Sequence, residues 1–159
     1  MLSALRQLLT PRFLKFCTVG ASGVLVNLGC LALLADLVGL NQNLSAALAI
    51  EVSINTNFLV NELWTFRDRS ARAGRLSRRW IKFHLVSAVG AALQWLTFVI
   101  SNFALASVYD AEWTLRGGAE IGNWIYFSQL VGIGVATLWN FFANFYWTWR
   151  QRPSEEHSE

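Results

Sequence analysis

The segment Asn57-Phe58-x-x-Asn61-x-x-Trp64-Thr65-x-Arg67 returns as Asn140-Phe141-x-x-Asn144-x-x-Trp147-Thr148-x-Arg150, and each copy closes a long apolar run. Upstream, Arg12-Phe13-Leu14-Lys15-Phe16 is answered by Arg79-Trp80-Ile81-Lys82-Phe83. A chain that repeats itself at both ends of paired apolar runs is a duplicated helical hairpin.

Four runs, at 13–34, 44–66, 80–106 and 121–149, each supply the roughly 20 residues that a membrane helix needs, with few charges inside them. With 54% hydrophobic residues and a mean hydropathy of +0.37, the chain is more apolar than an average soluble domain. Helices rather than strands follow, because a bilayer offers no water to backbone amides and these runs do not alternate as barrel strands do. The predicted fold is an all-α membrane protein of four transmembrane helices, arranged as two parallel-repeat hairpins with N and C termini in the cytoplasm. An interfacial segment 1–11 precedes the four-helix domain 12–150, whose repeats run from about 12–67 and 79–150, and a polar tail 151–159 follows. The first run is expected to be retained rather than cleaved as a signal peptide, because its basic, aromatic opening is copied at the third helix. Pro11 behind Thr10 predicts a first-turn proline. Cys17 and Cys30 share the first helix about 20 Å apart, too far to bridge.

Of the 13 lysines and arginines, all but Arg116 lie near the N terminus, between the second and third runs, or after the fourth. Asp36, Asp110, Glu112 and Glu120 accompany Arg116 on the opposite side. The positive-inside rule therefore predicts a cytoplasmic Arg-rich end. Each repeat begins and ends on that side, so the copies are parallel. The extra residues of the second copy fall in a longer outer loop, about 107–122, against the short 38–43. Neither that loop nor 68–78 is long enough for a catalytic domain.

Asn57 and Asn61 share a helical face that Trp64 extends, and Asn140, Asn144 and Trp147 repeat it. Such a face either packs the halves together, at roughly 0.6–2 kcal/mol per amide bond, or binds sugar hydroxyls or phosphate. Glu51, Asn55 and Glu62 form a second face, within about 40° on a helical wheel, whose counterparts Gly134, Leu138 and Phe145 are apolar. A carboxylate near a helix centre costs on the order of 3 kcal/mol, which makes Glu51 a functional candidate; the alternative is a salt bridge or a protonated carboxyl. For Glu62 the alternative is pairing with Lys15, Lys82 or Arg67. Asn27 and Gln94 hold matching places in the two repeats, and Gly20, Gly23, Gly90 and Gly132 allow close helix approach. Asn27, Glu51, Asn55, Asn57, Asn61, Glu62, Gln94, Asn140 and Asn144 make up a candidate path for a polar headgroup. Arg12, Lys15, Arg67, Arg79, Lys82 and Arg150 make up a cationic ring suited to a lipid phosphate, or else orientation signals and anionic-lipid contacts. His84 is expected at the interface; Trp64, Trp147 and Trp149 are expected in the inner aromatic belt, and Trp113 and Trp124 in the outer.

A phosphate-binding loop, a zinc-protease helix, a cysteine cluster and a nucleophile elbow are all missing from the sequence. No metal, cofactor, enzymatic activity or nucleic-acid partner is expected.

On Arg12-Phe13-Leu14-Lys15-Phe16 leading to Val19-Gly20, and on Asn57-Phe58-Leu59-Val60-Asn61 leading to Trp64-Thr65-Phe66, the chain resembles the GtrA-like family of bacterial four-helix membrane proteins over about 12–150. The resemblance implies translocation of a polyprenyl-phosphate-linked sugar, made by a partner membrane-associated glycosyltransferase, to the outer leaflet for surface polysaccharide or lipid glycosylation. It places Asn57, Asn61, Trp64 and Arg67 on the second-helix signature and Arg12 and Lys15 on the first. The family often has an acidic residue where Asn27 stands and a basic one where Glu62 stands. The expected setting is the bacterial cytoplasmic (inner) membrane, as a multi-pass protein among membrane lipids. A homo-oligomer, a dimer or larger, is expected because four helices make a thin wall around a sugar. Two rivals are an anchor for the glycosyltransferase, docking through Arg72, Arg75, Arg78 and Arg79, and a small proton-coupled cation exporter using Glu51. A cationic mouth argues against the exporter.

Overall fold

The computed structural model describes residues 8, 10–108, 112–114 and 120–151. Arg6, Asp110, Arg116, Arg152, Pro153 and His157, with most of segments 1–11 and 151–159, lie outside the described residues, as do the side chains of Trp113 and Trp124.

Four long helices occupy the four apolar runs. Helix α1 (Pro11–Ala32) continues into a wide π turn at Leu33–Leu37. Helix α2 (Gln42–Val60) ends in a π turn at Asn61–Thr65, and the short α3 (Arg67–Ser70) follows. Helix α4 spans Leu76–Val108, and α5 (Trp124–Ala143) closes in a third π turn at Asn144–Thr148. Local chemistry sets the limits. Pro11 opens α1, where its missing N–H is not needed. The Asn41 side chain accepts from the N–H groups of Asn43 and Leu44 at 2.9 and 3.4 Å and so caps α2. Gly39 turns the chain at a φ of 75°, which glycine adopts without penalty.

The architecture is helical, as expected, apart from one short ribbon. Strands β1 (Glu112–Thr114) and β2 (Glu120–Asn123) pair antiparallel in the stretch expected to be an irregular outer loop. Trp113, Thr114 and Ile121 are residue types that favour extended backbone.

Two segments are long and apolar enough to cross a membrane, Pro11–Leu37 with a mean hydropathy of 1.9 and Leu76–Leu105 with 1.7. Only 11% and 17% of their apolar windows are buried, and side chains such as Leu25 and Phe103 stand 73% and 76% exposed. Apolar surface on that scale needs a lipid covering. Helix α2 is interrupted by Asn43, Glu51, Asn55 and Asn57, and α5 by Gln129 and Asn140.

The chain forms two compact units, one of residues up to His84 together with those from Asn144 onward, the other Leu85–Ala143. In the first, α1 packs along α2, and the buried Ser53 hydroxyl donates to the Gly23 carbonyl at 2.7 Å. In the second, the Trp139 indole donates to Val86 O at 3.1 Å. There too, Gly132 lies so close to α4 that a Cβ would come within 2.7 Å of Gln94 O.

Candidate functional site

The duplicated Asn-x-x-x-Thr segments form the π turns. In each, the N–H of the following residue reaches back five positions, Phe66 to Asn61 O at 2.8 Å and Trp149 to Asn144 O at 2.9 Å. The wider turn re-aims the residue after it, as such bulges do where a helix serves a special local purpose. Phe66 and Trp149, equivalent positions of the two copies, then stack on one another with centroids 4.3 Å apart and planes 11° apart. Phe58 and Phe83 flank Trp149 at 6.0 and 5.9 Å. Trp149 is 0% exposed, so its expected place in the interfacial belt is corrected: it is the core of this end.

Glu62 lies at the edge of this stack. Arg79 grips it through Nε to Oε2 at 3.0 Å and Nη2 to Oε1 at 2.5 Å, and the Trp149 indole N–H donates to Oε2 at 2.8 Å. Arg79 also donates to the carbonyl of Gly74, a residue held at a φ of 87°. The two charged side chains are 7% and 10% exposed. Arg79 as a phosphate ligand and Glu62 as part of a headgroup path are therefore both corrected. Buried charge is tolerated only when paired, and here the pair consumes both groups. The partner is Arg79 rather than Lys15, Lys82 or Arg67.

The second copy has Phe145 where the first has Glu62. Arg69 lies over the Phe145 ring at 3.7 Å and donates to Phe145 O at 2.8 Å, with Trp149 O at 3.5 Å. A cation on the last carbonyls of a helix satisfies orphan acceptors and complements the helix dipole. Burial pushes the Arg69 guanidinium below its ordinary value, as does nearby Arg12, while Asp68 and Tyr146 oppose the shift. Sequence reasoning missed Arg69, although the recurrence of Arg67-x-Arg69 as Arg150-x-Arg152 was a signal.

Arg12, the counterpart of Arg79, is set free of such a lock. It faces Phe145 at 5.5 Å and donates to the exposed Asp68 at 2.6 Å. With Pro11, Lys15, Trp64, Thr65, Arg67 and Asp68 it lines a cleft of about 590 Å³. Lys15 Nζ sits 5.3 Å from the Trp64 ring centre. Among the described residues neither Lys15 nor Arg67 forms an ion pair. The buried Thr65 hydroxyl has no hydrogen-bond partner among the described residues. Three cations and one counter-charge around an open cleft suit an anion with several oxygens. In the second copy Lys82 repeats the stacking, 5.1 Å from Trp147, but its ammonium already donates to Trp147 O at 3.1 Å. Arg150 is exposed and does not line the cleft.

Glu51 lies on the outer surface of α2, its side chain 54% exposed. Asn55 Nδ2 donates to its Oε1 at 2.7 Å, and His84 Nε2 approaches the same oxygen at 3.2 Å. His84 is thus more than an interfacial residue. The Trp80 indole donates to Asn55 Oδ1 at 2.7 Å. Glu62, assigned to the same face as Glu51 and Asn55, belongs instead to the buried pair.

The repeated amides serve within each copy. Asn57 presses its amide into the gap left by the missing side chain of Gly23, and Asn140 does the same at Gly90. A face expected to join the halves therefore closes each hairpin on itself, because two glycines let backbone and amide approach. Asn61 and Asn144 are buried, and among the described residues Asn61 Oδ1 and both amide atoms of Asn144 are unpartnered. Asn27 and Gln94 are half-buried on α1 and α4. Gly23→Ala is expected to destabilise the protein by about 1–3 kcal/mol through overpacking, and adding Asn57→Ala should recover most of it. Reversible unfolding in mixed micelles checks this, and equal losses in the single and double variants would refute the contact.

Dolichol-phosphate mannosyltransferase of Pyrococcus furiosus is 39% identical over 92 residues, which make up 58% of this chain and 25% of that protein. The match thus spans about a quarter of the curated relative's length. The family model described as the transmembrane domain of GtrA/DPMS matches residues 15–149. The apolar, outward-facing helices and the duplicated basic hairpin ends accord with that description: the chain is a membrane protein and belongs to the GtrA/DPMS transmembrane-domain family.

Proposed function

We propose that the protein translocates a polyprenyl-phosphate-linked monosaccharide from the cytoplasmic to the outer leaflet of a bacterial inner membrane. In this reading all four long helices span the bilayer, both termini are cytoplasmic, and the cleft at the Arg-rich end receives the lipid phosphate. The observation that carries the reading is the cleft lined by Arg12, Lys15 and Arg67, in which Lys15 and Arg67 hold no counter-ion among the described residues. The relative named for dolichol phosphate and mannose supports the same ligand chemistry, a phosphate on a long isoprenoid bearing a sugar. The chain itself carries no transferase step; a separate membrane-associated glycosyltransferase loads the sugar, and flux follows its consumption outside. The test is transfer of labelled farnesyl-phosphate sugar across reconstituted vesicles. The wild type should move it, and Lys15→Gln with Arg67→Gln should move it at least tenfold more slowly. Equal rates with protein-free vesicles would end the proposal.

A second reading is an anchor subunit. The relative named as a transferase matches over only a quarter of its length, so a homologous membrane region accompanies additional chain there. Neutralising Arg72, Arg75 and Arg78 would then abolish co-purification of a glycosyltransferase with no lipid transfer ever seen. The cation-exporter reading gains no comparable support.

A further inference from the structure

Glu51, Asn55, Trp80 and His84 close a ring of hydrogen bonds between α2 and α4. The Trp80 indole donates to Asn55 Oδ1, and Asn55 Nδ2 donates to Glu51 Oε1 and to the Glu51 carbonyl at 2.8 Å. His84 Nδ1 lies 3.0 Å from Trp80 O. A carbonyl only accepts, so Nδ1 carries a hydrogen. Nε2 and Glu51 Oε1, 3.2 Å apart, therefore share one proton, as imidazolium with carboxylate or as imidazole with carboxyl. In either arrangement the pair is electrically neutral.

One oxygen is left over. Among the described residues Glu51 Oε2 takes part in no hydrogen bond or ion pair, although every other side-chain polar atom of the cluster is matched. Beside it stands the Trp80 ring, 39% exposed and held against the His84 imidazole with centroids 4.1 Å apart. About 16 Å of helix rise separates Glu51 from Glu62 along α2, and about 7.5 Å separates its partner His84 from Arg79 along α4, so in a spanning pair this oxygen lies inward of the Arg-rich end, where the interface gives way to hydrocarbon. An unmatched acceptor there costs several kcal/mol unless a donor meets it. The donor that suits a neutral pair beside a flat aromatic face is a hydroxyl on a ring with one polar edge and one apolar face.

We propose that this cluster is a second binding site, apart from the cationic cleft, which accepts the hydroxyls of a neutral lipid-borne monosaccharide at Glu51 and seats its apolar face on Trp80. The delivery of that sugar on a lipid rests on the proposed function; the binding chemistry does not.

The test uses the full chain in nanodiscs with ¹⁵N-labelled imidazoles. The chain has two histidines, and His157→Ala identifies the His84 signals. Octyl glucoside and octyl mannoside, which carry a sugar and a tail but no phosphate, are the probes. The wild type should show a saturable shift of the His84 resonances, and Glu51→Gln should weaken that binding at least tenfold while the melting temperature and farnesyl phosphate binding stay unchanged. Should Glu51→Gln fold poorly, Trp80→Ala carries the same expectation through loss of the platform. No saturable shift with either glycoside, the same affinity in the folded variants, or an equal shift with tetramethylammonium overturns the proposal. Glycoside binding without any transfer of labelled lipid would leave this site standing and remove the translocation reading.

Discussion

Arg79→Ala is expected to lower the unfolding free energy by about 3–5 kcal/mol, because truncation strands the Glu62 carboxylate in a buried position. The site leaves that carboxylate no alternative: Arg79 supplies two of its three hydrogen bonds and the Trp149 indole the third. The Phe66 and Trp149 stack adjoins it, so the loss spreads to the packing between the residues that follow the first and second copies of the Asn-x-x-x-Thr turn. Replacing both charges by apolar residues of similar volume, Glu62→Leu with Arg79→Met, is expected to cost far less than either single change, and buried pairs exchanged in this way often end neutral or about 1–4 kcal/mol more stable. Reversible unfolding of the single and double variants in mixed micelles measures it. A single variant as stable as the wild type would mean the pair is open to solvent.

The largest effect on ligand should come from Lys15→Gln combined with Arg67→Gln. A charge-assisted hydrogen bond contributes about 1.5–3 kcal/mol, so losing two should weaken farnesyl phosphate binding by roughly 100-fold or more. Lys82→Gln should change it by less than about threefold, under 1 kcal/mol. The two lysines occupy equivalent positions and stack on equivalent tryptophans, yet Lys82 is held by Trp147 O and its neighbour Arg79 is locked on Glu62. Titrations at one fixed salt concentration decide it, and equal losses for Lys15 and Lys82 would show that both copies receive the phosphate.

That asymmetry marks the limit of what was legible beforehand. The four helices and their ends follow from run length, the Pro11 opening and the repeated motifs, all of them local or periodic properties. The cationic mouth was legible as a set of residues, and Arg12, Lys15 and Arg67 do share a cleft. Arg79 was in the same set, since nothing local distinguishes it from Arg12. The distinction arises from a residue far along the chain, where Glu62 stands in one copy and Phe145 in the other. The same holds for Trp149, whose neighbours suggested an interfacial belt and whose ring lies buried against Phe66. The β ribbon was missed because a pairing of three or four residues leaves almost no periodic signature.

The amino-acid order alone determined the duplicated hairpin, the apolar lengths and the clustering of basic residues at one end, because each depends only on spacing along a helix or on local composition. Only the tertiary structure decided which charges are spent on each other and which stay open to a ligand, and which amides close a hairpin. A side chain's partner is set by the position of helices remote in sequence, and in a low-dielectric interior that partner decides whether a charge is structural or available.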